Sequence, residues 1–298
     1  MTTGLIYMGL RYVAADGEDE IALGDGLTLV KPNPFYLSAR WSQAMGEREI
    51  EDEATASRFL ACKYPMPDVG EADWEANQQG LNRFRSGIMA FQVIKPIETL
   101  GFIYYGRTYI GDAFSINRVE RHPKMDGRQW ARMKKFEPAM LEVVPDMIQR
   151  IQAVWNADNA ERKNAVTFLQ LGLESSHPYI SGLLCVMGLE AIFDSDNRND
   201  FKRQLCDCLG PTTLAFPDWN APTAPPPYTV EDIAIPLYML RNKLAHGVDL
   251  RKAAADRSTP VDLTAKVKLT EHSGPTAYSL VLSQAAIFLL CQVLQRVL

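Results

Sequence analysis

The sequence predicts an α+β chain, with a strand-rich mixed N-terminal domain over residues 1–125 followed by an all-α helical bundle over residues 126–298. Two observations carry this. Up to about residue 120, apolar residues come in short runs rich in β-branched and aromatic side chains, punctuated by Gly, Pro and Asp. From about residue 127 the apolar period changes to that of a helix. A third observation is compatible with both: 298 residues with 47% hydrophobic and 22% charged side chains suit a globular chain long enough for two domains.

In order, the runs 4–13, 20–30, 56–66, 88–97 and 101–110 read as strands. The pair Asp25-Gly26 inside the second run suits a tight turn. Between the third and fourth, GEADWEANQQGLNRFRSG (70–87) reads as a short helix, with Trp74, Leu81 and Phe84 on one face. The N-terminal module holds no internal repeat and no glycine-rich nucleotide motif.

Beyond residue 127, Met140, Val144, Met147, Ile151 and Val154 recur at helical spacing, with Pro138 and Pro145 marking starts or kinks. Val166, Leu169 and Leu173 line the inner face of the next helix. In SHPYISGLLCVMGLEAIF, Ser176 suits the cap, Pro178 the first helical position, and Ile180, Leu183, Leu184 and Met187 the apolar stripe. The segment DFKRQLCDCLG ends at Gly210, and a Pro-rich loop follows. Thr229 and Asp232 stand in capping-box position before a helix with Ile233, Leu237, Leu240 and Leu244 as its core stripe, closed by Gly247. Residues 261–271 and 274–281 suit a hairpin before the last helix, unless that helix starts as early as Thr276. The apolar C-terminal window is interrupted by Ser283, Gln284, Gln292, Gln295 and Arg296, so it reads as a buried core helix rather than a membrane span.

The N-terminus has neither the basic start nor the unbroken apolar run of a signal peptide. Five cysteines, Cys62, Cys185, Cys206, Cys208 and Cys291, are an odd number, and three lie in apolar helical patterns. Reduced thiols and a cytoplasmic setting are expected, with no metal site, since no second pair stands at zinc spacing from Cys206 and Cys208. No cofactor is expected. A net charge of −5 argues against capture of nucleic acid by the molecule as a whole. Charge is uneven, however: residues 118–135 hold seven Lys and Arg against Glu120 and Asp126. This run reads as a solvated connector and helix start, or as an RNA approach through Arg128, Arg132 and Lys135.

The candidate chemistry lies in YMLRNKLAHG, residues 238–247. Asn242 and His246 share a helix face. Arg241 sits about 140° around the helix and about 7.5 Å along it from His246. A long Arg and a shorter His still converge on one phosphate lying across the helix end, and two copies related by a two-fold axis would double the set. Histidine moves protons near neutrality, and arginine clamps a phosphate bidentately. Those roles suit RNA cleavage without a metal. By spacing alone the signal is weak: Arg118 stands four before His122 in a segment of no comparable character. Glu190 borders an apolar stripe and, if buried, needs a partner, for which Arg241 is the candidate; otherwise it reaches water. Tyr238 stands three places before Arg241.

With SGLLCVMGLEAIF and the preceding FLQLGLESSHPYISGLL, the motif YMLRNKLAHG resembles the HEPN superfamily, and within it the Apea-like branch, over about residues 130–298. The resemblance implies an all-α HEPN bundle, often a homodimer, and metal-independent endoribonuclease activity in toxin–antitoxin or phage-defence systems. It implies Arg241 as the phosphate-stabilising residue, Asn242 as the accompanying polar residue, His246 as the catalytic histidine, and Glu190 as an acidic position that orients Arg241. RNA is the implied partner, with a neutralising protein or regulator beside it. A non-catalytic HEPN module for dimerisation or RNA binding is the alternative. The chain departs from the family pattern at DSDNRNDFKRQLCDCLG, where a longer helix containing Arg and Ala is usual.

Overall fold

The computed structural model describes residues 2–14, 19–32, 38–66, 72–108, 115–123, 136–175, 177–215, 228–245 and 274–298. Two compact units divide the chain: residues 1–125 with 135–153, and residues 126–134 with 154–298.

The first unit is built on a six-stranded antiparallel sheet of order β2-β3-β4-β1-β5-β6, with β1 Thr2–Arg11, β2 Glu20–Gly24, β3 Leu27–Val30, β4 Arg58–Met66, β5 Glu98–Thr108 and β6 Ser115–Arg121. Strand β1 is central, with Tyr7 opposite Ala61 on one side and Tyr104 on the other. The hairpin β2–β3 turns on Asp25 (φ 49°) and Gly26 (φ 74°), the doubly left-handed turn that matches strand twist. A Cβ on Gly26 would stand 2.2 Å from the Lys63 carbonyl oxygen, so no other residue fits there.

Side chains alternate across the sheet. Leu5, Tyr7, Phe59, Ala61, Leu100, Phe102 and Tyr104 form one buried cluster with Met45, under the short helices α1 (Ala39–Met45) and α2 (Glu47–Glu53). The other face carries helix α3, Ala72–Ile94, whose buried Phe84, Ile88 and Phe91 recur at i, i+4 and i+7. The Cys62 thiol donates to the Gly80 carbonyl of this helix at 3.5 Å.

Three expectations are corrected here. The run 88–97 is no strand; its first half is the end of a 23-residue helix that stops just before Pro96. Ile88, Phe91, Val93 and Ile94 have strand-forming shapes, but burial of the helix all round from Ser86 to Val93 overrides that preference. Trp74 does not share the covered face of Phe84: it is 68% exposed. The basic run from residue 118 is no mere connector at its start, because Arg118–Arg121 belong to β6, an edge strand paired with β5.

The boundary at 125/126 also differs from the compact units. Phe136 bridges Val13 in parallel register, its N–H donates to the Tyr12 carbonyl at 2.6 Å, and its ring lies 5.0 Å from that of Phe91. Helices α4 (Pro138–Leu141) and α5 (Val144–Asn156) follow. Val144, Met147, Ile151 and Val154 are buried as their spacing predicts. Yet Gln152 reaches Asp25 of the β2–β3 turn at 2.8 Å, so most of α5 belongs to the sheet unit. A helical period shows that an apolar face is covered, not which core covers it.

The second unit comprises helices α6 (Ala160–Glu174), α7 (Pro178–Phe193), α8 (Arg198–Leu209), α9 (Val230–Ala245) and α10 (Gly274–Val297). Helix α7 packs against the other four. Helix α6 is capped by the Asn159 side chain, which accepts from the Arg162 N–H. It buries Val166, Leu169 and Leu173, as expected. Helix α8 is capped by Asn197 and ends at Gly210.

Helix α7 corrects the sequence reading most. Its N-cap position is His177, with no side-chain cap bond, and Ser176 lies outside the described residues. Ile180 is 49% exposed, and Leu183, Leu184 and Met187 are only half-buried. The buried face carries Ser181, Cys185, Val186 and Leu189 instead. The helix is apolar nearly all round, so its period does not single out a face. Close approach does: a Cβ on Gly182 would meet Ser283 Oγ at 2.7 Å and Ser283 Cα at 3.2 Å.

Residues 274–281 are helical, not a strand, so α10 starts even before Thr276. Residues 261–271 lie outside the described residues. Among the described residues, no helix is long and apolar enough to cross a membrane.

Candidate functional site

Helix α9 positions the candidate site. Its start is fixed by a capping box: the Thr229 N–H donates to Asp232 Oδ2 at 3.0 Å, and the Asp232 N–H donates to Thr229 Oγ1 at 3.3 Å. Ile233, Leu237 and Leu240 are buried on one side; the Leu244 side chain lies outside the described set. Pro236 sits inside the helix. It cannot donate to the carbonyl four residues back, so the ladder is interrupted one turn before the polar residues.

Those polar residues occupy the turn after Tyr238. Arg241 Nε donates to Glu190 Oε2 at 2.8 Å, joining α9 to the last turn of α7. Arg241 Nη1 donates to Asn242 Oδ1 at 2.7 Å. A guanidinium has five N–H groups, so three stand without a partner among the described residues. The Arg241 side chain is 35% exposed, the Glu190 side chain 14%. This is a cation held from two sides, with donors left for an anion.

Burial pushes the Glu190 carboxyl above the usual carboxylate range, and Arg241, through its charge and its hydrogen bond, draws it part of the way back. Just beyond Glu190, Asp194 ends α7 in the left-handed conformation, its N–H bonded to the Glu190 carbonyl at 2.8 Å. Tyr238 does not touch this pair through any hydrogen bond among the described residues. Its ring packs on Phe201 of α8, 5.6 Å between centroids, and Phe201 in turn meets Phe193 of α7 edge-on at 6.3 Å. Tyr238 thus supports α9 through an aromatic chain that joins three helices. Sequence reasoning missed Phe201, although its place one turn into α8 marks it as a core residue.

The structure therefore brings together Arg241, Asn242 and Glu190, with Tyr238 one turn away. His246 and Gly247 lie outside the described residues, as do Arg128, Arg132 and Lys135. Among the described residues no group of three or more His, Cys, Asp or Glu could hold a metal ion. All five cysteines are free thiols.

No family model, no curated protein and no solved structure matches this chain.

Proposed function

We propose that the chain is a metal-independent endoribonuclease of HEPN type, acting as a homodimer in a toxin or phage-defence setting. The observation that supports this reading is the braced Arg241 guanidinium: fixed by Glu190 and Asn242, it keeps three N–H groups for a phosphoryl oxygen. A preorganised donor set stabilises charge that develops in a transition state. In this reading His246 moves the proton between the 2′-hydroxyl and the leaving 5′-oxygen. The products are a 2′,3′-cyclic phosphate and a 5′-hydroxyl. In the same reading Arg128, Arg132 and Lys135 attract the RNA backbone, and a neutralising protein restrains the enzyme. No metal or cofactor takes part.

The second reading is a non-catalytic HEPN module for dimerisation or RNA binding. It is favoured by the same pair, since a guanidinium with two bonds inside its own protomer also serves as a brace between helices.

Cleavage of RNA in EDTA by wild type, Arg241→Ala and His246→Ala tests the proposal. Cutting by wild type alone, with 2′,3′-cyclic ends, is the expected result. Equal cutting by all three overturns the site. RNA binding with no cutting by wild type favours the second reading. Charge reversal of Arg128, Arg132 and Lys135 together should weaken RNA binding and flatten its salt dependence.

A further inference from the structure

Helix α3 leaves part of its side of the sheet open. Between its N-terminal half and strands β5 and β6 lies a cleft of about 710 Å³, within the size range of ligand sites, roughly 300–1,000 Å³. Tyr105 forms its floor. The Tyr105 hydroxyl donates to Glu120 Oε2 at 2.7 Å, and the Arg118 guanidinium lies over its ring, 5.1 Å from the centroid. Arg85 and Arg107 also line the cleft. Among the described lining residues the carboxylate is Glu120, which pairs with Arg118. The fields of Arg118 and Arg85 both reach the floor, where they oppose the effect of burial on the Tyr105 hydroxyl.

The wall opposite β6 carries Trp74, which at 68% is the most exposed large hydrophobic residue among those described. An indole left this open is poorly placed for stability and well placed to stack on a flat ring. Asn77 and Gln78 add amides beside it; the Asn77 carbonyl is engaged by the Tyr64 hydroxyl at 2.6 Å. At the bottom, β5 and β6 shift register between Tyr105 and Gly106, a bulge of the kind that re-aims side chains beside sites.

We propose that this cleft binds a nucleotide, with the base stacked on Trp74 and the phosphate held by Arg85 and Arg118. Guanidinium forks suit phosphate oxygens. The exposed indole with neighbouring amides selects a flat, hydrogen-bonding ring over a plain acidic side chain. This is the combination by which proteins hold single-stranded nucleic acid. The site lies wholly within the sheet unit and does not rest on the nuclease reading.

The test uses the full chain and three probes: a fluorescein-labelled single-stranded oligodeoxynucleotide, which has no 2′-hydroxyl to be cut; the same oligomer made abasic; and free AMP. Either the base-bearing strand or AMP should bind, and the tighter of the two names the source of the nucleotide. Trp74→Ala and Arg118→Ala should each weaken binding about tenfold, while Trp74→Phe stays close to wild type because it keeps a stacking face. The abasic strand should bind about tenfold more weakly than its parent. For a bound strand, Arg85→Ala should reduce the salt slope by about 0.7. Binding of neither probe, equal binding by Trp74→Ala, or equal binding of the abasic strand overturns the proposal.

Discussion

Glu190 Oε2 accepts from Arg241 Nε at 2.8 Å, tying the end of helix α7 to the last turns of helix α9. The contact sets the direction of the guanidinium as well as its charge. Arg241→Lys keeps the charge but cannot bond Glu190 and Asn242 at once from a planar fork. In the nuclease reading, Glu190→Ala and Arg241→Lys should each cut RNA about 100-fold more slowly, through misplacement of the clamp. A double-mutant cycle on unfolding should give a coupling of about 1 kcal/mol, discounted for the partial exposure of Arg241. A cycle with no coupling would show that the two side chains act independently.

The same pair has a pH signature. Because burial outweighs the pull of Arg241, the folded Glu190 carboxyl sits above its ordinary value of 4.5. A carboxyl raised by folding takes up a proton on folding at intermediate pH, so its stability contribution is complete below the unfolded value and is lost as pH rises through the folded one. Glu190→Gln cannot titrate. The unfolding free energy of wild type minus that of Glu190→Gln should therefore increase as pH falls from neutrality toward 4.5. Urea titrations across this window measure it, and a difference that decreases instead would mean that attraction to Arg241 dominates.

Close packing of α7 on α10 should be sensitive at Gly182. Alanine there brings its methyl within 2.7 Å of Ser283 Oγ and 3.2 Å of Ser283 Cα. The hydroxyl can rotate away; the backbone carbon cannot. Overpacking costs about 1–3 kcal/mol, which exceeds the roughly 1 kcal/mol that alanine gains over glycine in a helix. The net cost, up to about 2 kcal/mol, should lower the melting temperature of Gly182→Ala by up to about 8 °C, at about 2–4 °C per kcal/mol. An increase would show that α10 shifts freely.

Thiol reactivity should divide the cysteines in two. Cys62, Cys185 and Cys291 are buried, and burial raises their thiols, that of Cys62 to about 12. Cys206 and Cys208 are partly exposed and raised less strongly. The thiolate is the reactive form, so a disulfide reagent at mild alkaline pH should modify the two cysteines of α8 first. The other three should follow at the rate of opening or unfolding. Rapid modification of Cys185 would contradict the packing of α7.

By itself, the sequence determined those features whose physics is local. Asp25-Gly26 needs only its own backbone preference to make a hairpin, and Thr229 and Asp232 need only each other to start α9. The inner faces of α6 and α9 follow from helical spacing, because polar residues mark the opposite side. The partnership of Glu190 with Arg241 was legible in part: a carboxylate bordering an apolar stripe needs a cation if it is buried, and the fold decided that it is paired and does not simply reach water.

Tertiary structure decided what depends on which surfaces meet. Helix α7 is apolar on most sides, and close approach to its neighbours selects its buried face, at Gly182 against Ser283 and at Cys185 against Gly172. Residues 88–94 have the side chains of a strand, but Phe84, Ile88 and Phe91 bury together only as a helix over the sheet. Most of α5 goes with the sheet because Phe136 bridges Val13 and packs on Phe91. The same applies to Trp74: its position on a helix could be read from the chain, whereas its exposure opposite the arginines required the fold. Local preferences amount to tenths of a kcal/mol per residue, while burying a large apolar side chain contributes about 1.5–3 kcal/mol. Where the two conflict, burial wins, and burial is a property of elements brought together from distant parts of the chain.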